Sequence, residues 1–365
     1  SFSELWQILV NATQDKNAGE IICLLDAIDE CEDEGRGRLA RELCRLYGTD
    51  GIAKNFNLKF LLTSRPFDEI RRDFQPLEIS GLPEIHLSGE SEVEIKKISR
   101  EIDVFIKAKV HHIAARLRLT HEEQGLLLGQ LMRVPHRTYL WVYLTLNLIE
   151  GDIDKTEVVE VASRFRKTVH GAASQLPATV DAAYDRILSK SRNPEEAKKI
   201  LHIVVAAARP LTVKEMTLAL ALRESHRSYD VINLEPEDRF RGNVRDICGL
   251  LVTIIDSRIY LLHQTAKEFL VRNASQGIHR DLSWKHSLRL QESHRILAEI
   301  CTWHLLFAKF ETHPLDEDGP LSQYLEDHVF LDYSAKHWAA HLRESPVKVQ
   351  QAMTQLTLKI CDTKS

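Results

Sequence analysis

The chain has 365 residues, 44% hydrophobic and 28% charged, with 48 Lys+Arg against 53 Asp+Glu for a formal net charge of -5. That usage belongs to a folded protein and excludes the disordered, collagen-like and disulfide-stapled classes. The near balance of charge argues against a whole-protein electrostatic grip on nucleic acid or anionic lipid. The length suits two or three packed units, and no apolar run reaches the ~18–20 residues of a membrane span.

Phe2, Leu5, Trp6, Leu9 and Val10 share one helical face, so the spacing predicts an amphipathic helix at the start. Ile21 to Leu25 is a short apolar run ending in acid, the pattern of a parallel strand buried on both faces. Leu39, Leu43 and Leu46 carry a helical period, and Lys59 to Thr63 is a second strand of the same kind. Strand, helix, strand with short loops is an α/β signature. From about 90 to 170 the period is helical throughout: Val93–Lys109, a helix opened by the capping-box order of Thr120 and Glu123, and the apolar run Tyr139–Ile149, in which Tyr139 and Trp141 are expected in the core. Residues 176–272 predict helices opening at Pro177, at Asn193-Pro194 and at Thr212, a polar loop over 223–241, and a hairpin turning at Asp256-Ser257. Three helices followed by a hairpin is the order of a winged helix. The stretch 284–361 is again helical.

The 6 cysteines contain no C-x-x-C pair, which removes zinc knuckles and redox motifs and points to a reducing, cytoplasmic setting. Two motifs carry chemistry. In Leu24-Leu25-Asp26-Ala27-Ile28-Asp29-Glu30 a strand delivers carboxylates to its carboxyl edge, where ligands bind in open α/β sheets. Asp26 suits a Mg²⁺ ion, directly or through water, and Asp29 and Glu30 suit polarisation of a nucleophilic water. The plainer reading is a solvated acidic loop, since Glu32, Asp33 and Glu34 follow. In Phe60-Leu61-Leu62-Thr63-Ser64-Arg65-Pro66 a second strand would bring Thr63, Ser64 and Arg65 to the same edge, with Arg65 facing a phosphate. His337 and His341 have a zinc-compatible helical spacing without a third ligand nearby, and Asp316–Gly319 resembles a calcium loop without its closing Glu; neither is read as a metal site.

These two motifs resemble the Walker B and sensor 1 elements of the NACHT branch of the STAND P-loop NTPases, above all the fungal, heterokaryon-incompatibility type. The likeness continues through EIDVFIKAKV, TYLWVYLTL, LPATVDAAYDRIL, ARPLTVKEMTLAL, CGLLVTI, LLHQTAKEFL and DYSAKHWAAH. The resemblance implies a partial P-loop NTPase parallel sheet followed by mainly α structure. Residues 1–90 would be the carboxyl-terminal part of the nucleotide-binding domain, 91–170 a helical domain, 171–275 a winged helix and 276–365 a carboxyl-terminal helical extension or linker. It further implies a slow NTPase that binds ATP or ADP with Mg²⁺ and uses nucleotide state to control self-association, with an effector domain upstream and repeat sensors downstream. Under it, Asp26 holds metal, Asp29 and Glu30 are catalytic, Thr63, Ser64 and Arg65 bind nucleotide, and His263 meets the β-phosphate of ADP.

The sequence departs from the family in one large respect: no G-x-x-x-x-G-K-[ST] occurs in it, and Gly35-Arg36-Gly37-Arg38 lacks the Lys-Ser/Thr ending and follows the acidic strand. With the Gly-rich strand taken to lie between the other two, the strands of residues 21–25 and 59–63 are expected to lack a neighbour, as in a fragment of a longer polypeptide that is inactive alone. The rival is a non-catalytic interaction or regulatory module without nucleotide binding. A DNA-binding winged helix is disfavoured, because Met216–Leu222 of its expected third helix carries no charge.

Overall fold

The computed structural model describes residues 2–15, 17–47, 58–65, 67–77, 92–134, 137–153, 176–272, 282–312 and 321–361. The chain divides into two units, Ser1–Glu92 and Val93–Ser365.

In the first unit, helix α1 (Phe2–Thr13), strand β1 (Ile21–Leu25), a single 3-10 turn (Ile28–Glu30), helix α2 (Asp33–Tyr47), strand β2 (Leu58–Leu62) and helix α3 (Asp68–Phe74) follow one another. Strands β1 and β2 pair directly and in parallel, with Ile21 opposite Leu58 and Leu25 opposite Leu62. The expectation of an intervening strand is therefore corrected: the two strands satisfy each other's backbone across their shared edge. The expectation of burial on both faces is corrected as well. One face is covered, Trp6 of α1 stacking on Phe60 at 6.0 Å and Tyr47 of α2 meeting it edge-on at 6.2 Å. The other presents Ile22, Leu24 and Leu61 at 64%, 63% and 52% exposure. Buried Arg36 ties α2 to α3 through Asp73 at 2.8 Å.

The second unit opens with α4 (Glu92–Leu117), α5 (His121–Arg133) and α6 (Tyr139–Ile153). Ile102, Ile106, Val110 and Ile113 pack with Leu127, Leu131, Trp141, Val142 and Leu146 in one cluster. The predicted capping box forms: Thr120 accepts from the Glu123 amide and the Glu123 carboxylate accepts from the Thr120 amide. Trp141 is buried and its indole donates to the Pro177 carbonyl at 2.7 Å. Tyr139 is 44% exposed, against the expectation of a core position, because it lies at the first turn of α6, where its ring meets Phe105 edge-on.

A larger cluster follows, built on α7 (Val180–Ser189), α8 (Pro194–Ala206), α9 (Val213–Ala221), α10 (Glu237–Cys248), strands β3 (Val252–Ile255) and β4 (Arg258–Leu261) and α11 (Gln264–Leu270). Helix α10 corrects the expected loop over 223–241. Its exposed face is charged, while Phe240, Val244, Ile247 and Cys248 form the buried stripe. The hairpin forms as predicted, with Asp256 and Ser257 both at positive φ, the requirement of a tight two-residue hairpin turn. Thr212 bridges to Arg258, so α8, a bridging segment, α9, α10 and the hairpin reproduce a winged helix. The helix preceding the hairpin is thus α10, not α9. It carries Arg239, Arg241 and Arg245 against Glu237, Asp238 and Asp246, an even balance with no basic stripe.

Helices α12 (Leu290–Leu305), α13 (Ala308–Thr312), α14 (Leu321–Asp327), α15 (Leu331–Glu344) and α16 (Val347–Cys361) complete the chain. Leu297, Ile300 and Cys301 of α12 and Tyr333 of α15 belong to the same hydrophobic cluster as the winged helix. What was expected as an extension or linker therefore packs, in its first helices, into that core. Histidines bond across this contact and behind it: His202 of α8 meets Ser293 at 2.7 Å, and within the carboxyl-terminal helices His304 of α12 meets Ser334 at 2.8 Å and His341 of α15 bonds both His294 at 2.9 Å and the Tyr333 hydroxyl at 2.8 Å. Among the described residues no helix is long and apolar enough to cross a membrane.

Candidate functional site at the carboxyl edge of the parallel strands

Because β1 and β2 run in parallel and in register, the residues that leave them emerge side by side. The ladder continues past both strands: Thr63 donates its amide to the Leu25 carbonyl at 3.0 Å, and Ile28 donates to the Thr63 carbonyl at 3.0 Å. Between them Ala27 adopts the left-handed conformation at φ 54, which reverses the chain into the 3-10 turn and brings Asp29 back toward β2. Side chains then cross between the two motifs. The Thr63 hydroxyl donates to Asp26 Oδ1 and accepts from the Ala27 amide at 2.8 Å. Arg65 donates Nε to Asp29 Oδ2 at 2.7 Å and its backbone amide to Asp29 Oδ1 at 3.1 Å.

The acids at this edge therefore differ in environment. Asp26 and Glu30 are exposed, whereas the Asp29 side chain is 3% exposed. Burial raises the Asp29 carboxyl, but the hydrogen bonds from the Arg65 side chain and backbone outweigh it and hold the group below the usual carboxylate range. Ser64 is exposed and donates its hydroxyl to the Arg65 carbonyl at 2.8 Å. The sequence reading missed Phe67, whose ring lies 5.1 Å below the Arg65 guanidinium; an aromatic residue two places after the arginine was the available signal.

The structure thus brings together Asp26, Asp29, Glu30, Thr63, Ser64 and Arg65. His263 belongs to the second unit, where it is exposed and caps α11: its Nδ1 accepts from the Thr265 amide at 3.2 Å. That bond leaves the proton of a neutral ring on Nε2. His341 is consumed by its bonds to Tyr333 and His294, and among the described residues no group of three or more His, Cys, Asp or Glu side chains is arranged to hold a metal ion. The calcium-like run 316–319 lies outside the described residues.

The donor set at the strand edge fits a hard cation held by one carboxylate and water, with Asp26, which Thr63 orients, as the residue that could hold it. It does not fit the phosphates of a nucleotide by itself. A phosphate cradle needs unused backbone N–H groups, and those of Ala27, Ile28, Glu30 and Arg65 are all donated within the edge.

Comparison with known proteins places both motif-bearing regions. Residues 1–65 match the family model of the nephrocystin 3 N-terminal region, 98–164 a domain model of unknown function, and 184–282 the winged-helix domain of GPI inositol-deacylase. The vegetative incompatibility protein HET-E-1 of Podospora anserina is 23% identical over 275 residues, covering 74% of this chain and 18% of that protein. The chain is thus similar to NACHT/STAND proteins of the fungal, NLR-like kind. The chain spans under a fifth of the relative's length, 18%. No solved structure matches it. The model matching 1–65 covers the whole acidic and sensor edge, and the winged-helix model covers α10, the hairpin and His263.

Proposed function

We propose that the chain is the Walker B to winged-helix part of a NACHT/STAND signalling switch, a protein that binds ATP or ADP with Mg²⁺ and uses nucleotide state to control its own oligomerisation. One observation carries the reading: the parallel register that sets Asp26 beside Thr63 and Asp29 beside Arg65 at one sheet edge. In this reading Asp26 holds Mg²⁺, which neutralises phosphate charge when bound. Glu30, exposed at the end of the 3-10 turn, orients a water. Thr63 fixes the Asp26 carboxylate, and Arg65 offers its guanidinium to a phosphate oxygen while Ser64 borders that position. His263 donates Nε2–H to a phosphate, an arrangement its helix cap prepares.

The phosphate cradle has to come from a Gly-rich loop outside this sequence, so the chain by itself is not expected to hydrolyse ATP. Self-association and partners such as an effector domain or repeat sensors belong to the larger assembly this reading implies. The same internal use of N–H groups favours a second reading, a NACHT-derived interaction module without nucleotide binding. Magnesium titration of the chain, followed by NMR of the Ala27–Glu30 amides, separates the two. Saturable shifts abolished by Asp26→Asn support the switch, and their absence supports the interaction module.

A further inference from the structure

Three acids in a D-x-x-D-E run invite the same role for the last two, yet the fold treats them differently. The left-handed Ala27 and the 3-10 turn carry the Asp29 carboxylate beneath the sensor loop, where both its oxygens accept from one residue: Oδ2 from Arg65 Nε at 2.7 Å and Oδ1 from the Arg65 amide at 3.1 Å. Its side chain is 3% exposed, while Asp26 and Glu30 stand in solvent. A carboxylate whose lone pairs are engaged by a guanidinium is a weak base and presents no oxygen to water. What such a pair does well is orient: the amide contact fixes the backbone of the sensor loop, and the Nε contact fixes the guanidinium plane, which also rests on the Phe67 ring.

We propose that Asp29 is a positioning residue, which sets the Arg65 guanidinium at the strand edge. This rests on the switch reading for what Arg65 contacts. The two loops become one mechanical piece: Asp26 is oriented by Thr63 of β2's loop, and Arg65 is oriented by Asp29 of β1's loop. A ligand that draws Arg65 toward itself has to compete with Asp29, so movement of the sensor arginine would be transmitted to the acidic turn.

The test uses the whole chain with 15N-labelled arginine, the Arg65 Nε–H signal being assigned by its loss in Arg65→Lys. It is expected to be protected at least tenfold from solvent exchange relative to exposed arginines. In Asp29→Asn that protection falls at least tenfold, and in Glu30→Gln it stays within twofold. Mg²⁺ titration of the same samples is expected to weaken at least threefold in Asp26→Asn and to stay within twofold in Asp29→Asn. An Arg65 signal indifferent to Asp29→Asn, or an Mg²⁺ loss in Asp29→Asn equal to that in Asp26→Asn, overturns the positioning role. Should Asp29→Asn not fold, the carboxyl ¹³C titration of Asp29 in the native chain and in Arg65→Gln decides. A midpoint that rises on loss of Arg65 supports the pair, and an unchanged one overturns it. Absence of Mg²⁺ response in every sample instead overturns the switch reading, leaving the arginine signal to judge the positioning role on its own.

Discussion

Lowering the pH from 7 to 5 should strip much of the stability from the second unit, because its winged helix and carboxyl-terminal helices are joined by neutral histidines. Burial, reinforced by Lys198 and Arg295 and opposed by Glu292, pushes His202 down to about 4. Burial with His294 and His337 nearby does the same for His341, down to about 4, and burial with His328 takes His304, capped by the Tyr229 hydroxyl, to about 3. An unfolded histidine titrates near ~6.5, so the unfolded chain takes up these protons first and the stabilisation, full above that value, drains away as pH falls toward 4. Between pH 7 and 5 the linkage amounts to ~2 kcal/mol per histidine, or about 6 kcal/mol for His202, His304 and His341 together, comparable with the ~5–15 kcal/mol of a whole domain. The carboxyls of Glu215, Glu292 and Asp332 are held below the usual carboxylate range by their arginine and lysine partners. Urea unfolding followed by fluorescence of Trp303 and Trp338 at the two pH values is the assay. His202→Asn and His341→Gln should each flatten the pH slope. Equal unfolding midpoints at pH 7 and pH 5 would refute the reasoning.

Three further outcomes follow from local geometry. Gly249 sits at φ 58 and ψ -140, and a Cβ there would lie 2.3 Å from Ile187 Cγ2. Gly249→Ala should cost about 3 kcal/mol or more by urea unfolding, and a double mutant with Ile187→Ala should recover only the steric part. Glu215 accepts from Arg209 at 2.9 and 2.7 Å and from the Thr212 amide at 2.7 Å, and Arg209 reaches on to Asp332 at 3.3 Å. Glu215→Gln should destabilise by about 3 kcal/mol, and a loss below ~1 kcal/mol would mean the buried pair is not maintained in solution. Thr120→Ala removes the cap of α5 and should cost ~1 kcal/mol, read as a lowered thermal midpoint.

Much of this architecture is legible in local patterns. The strands announce themselves as Ile21–Leu25 and Lys59–Leu62, the capping boxes at Thr120 and Thr212 form as their spacing demands, and Asp256-Ser257 turns the hairpin. What escaped local reading depends on long-range placement. Helix α10 hides in a charged sequence because only Phe240, Val244, Ile247 and Cys248 face inward, a stripe that a count of polar residues obscures. The direct pairing of β1 with β2 is a fact of sheet order rather than of either strand, and Ile22 and Leu24 are exposed because among the described residues α1 and α2 cover only the opposite face. The same holds at the candidate site. The motifs named Asp26, Asp29, Glu30 and Arg65, but the difference between a solvated Glu30 and an Asp29 held by Arg65 arises from the left-handed turn at Ala27, where the sequence offers neither Gly nor Asn as a signal.

In the proposed switch this chain supplies the Mg²⁺ and sensor edge, while its sequence holds no G-x-x-x-x-G-K-[ST] loop to cradle phosphate. Calorimetric titration of ATP and ADP, each with Mg²⁺, into the chain decides the matter: no binding is expected at micromolar nucleotide, and micromolar affinity for either nucleotide by this chain alone would overturn the proposal.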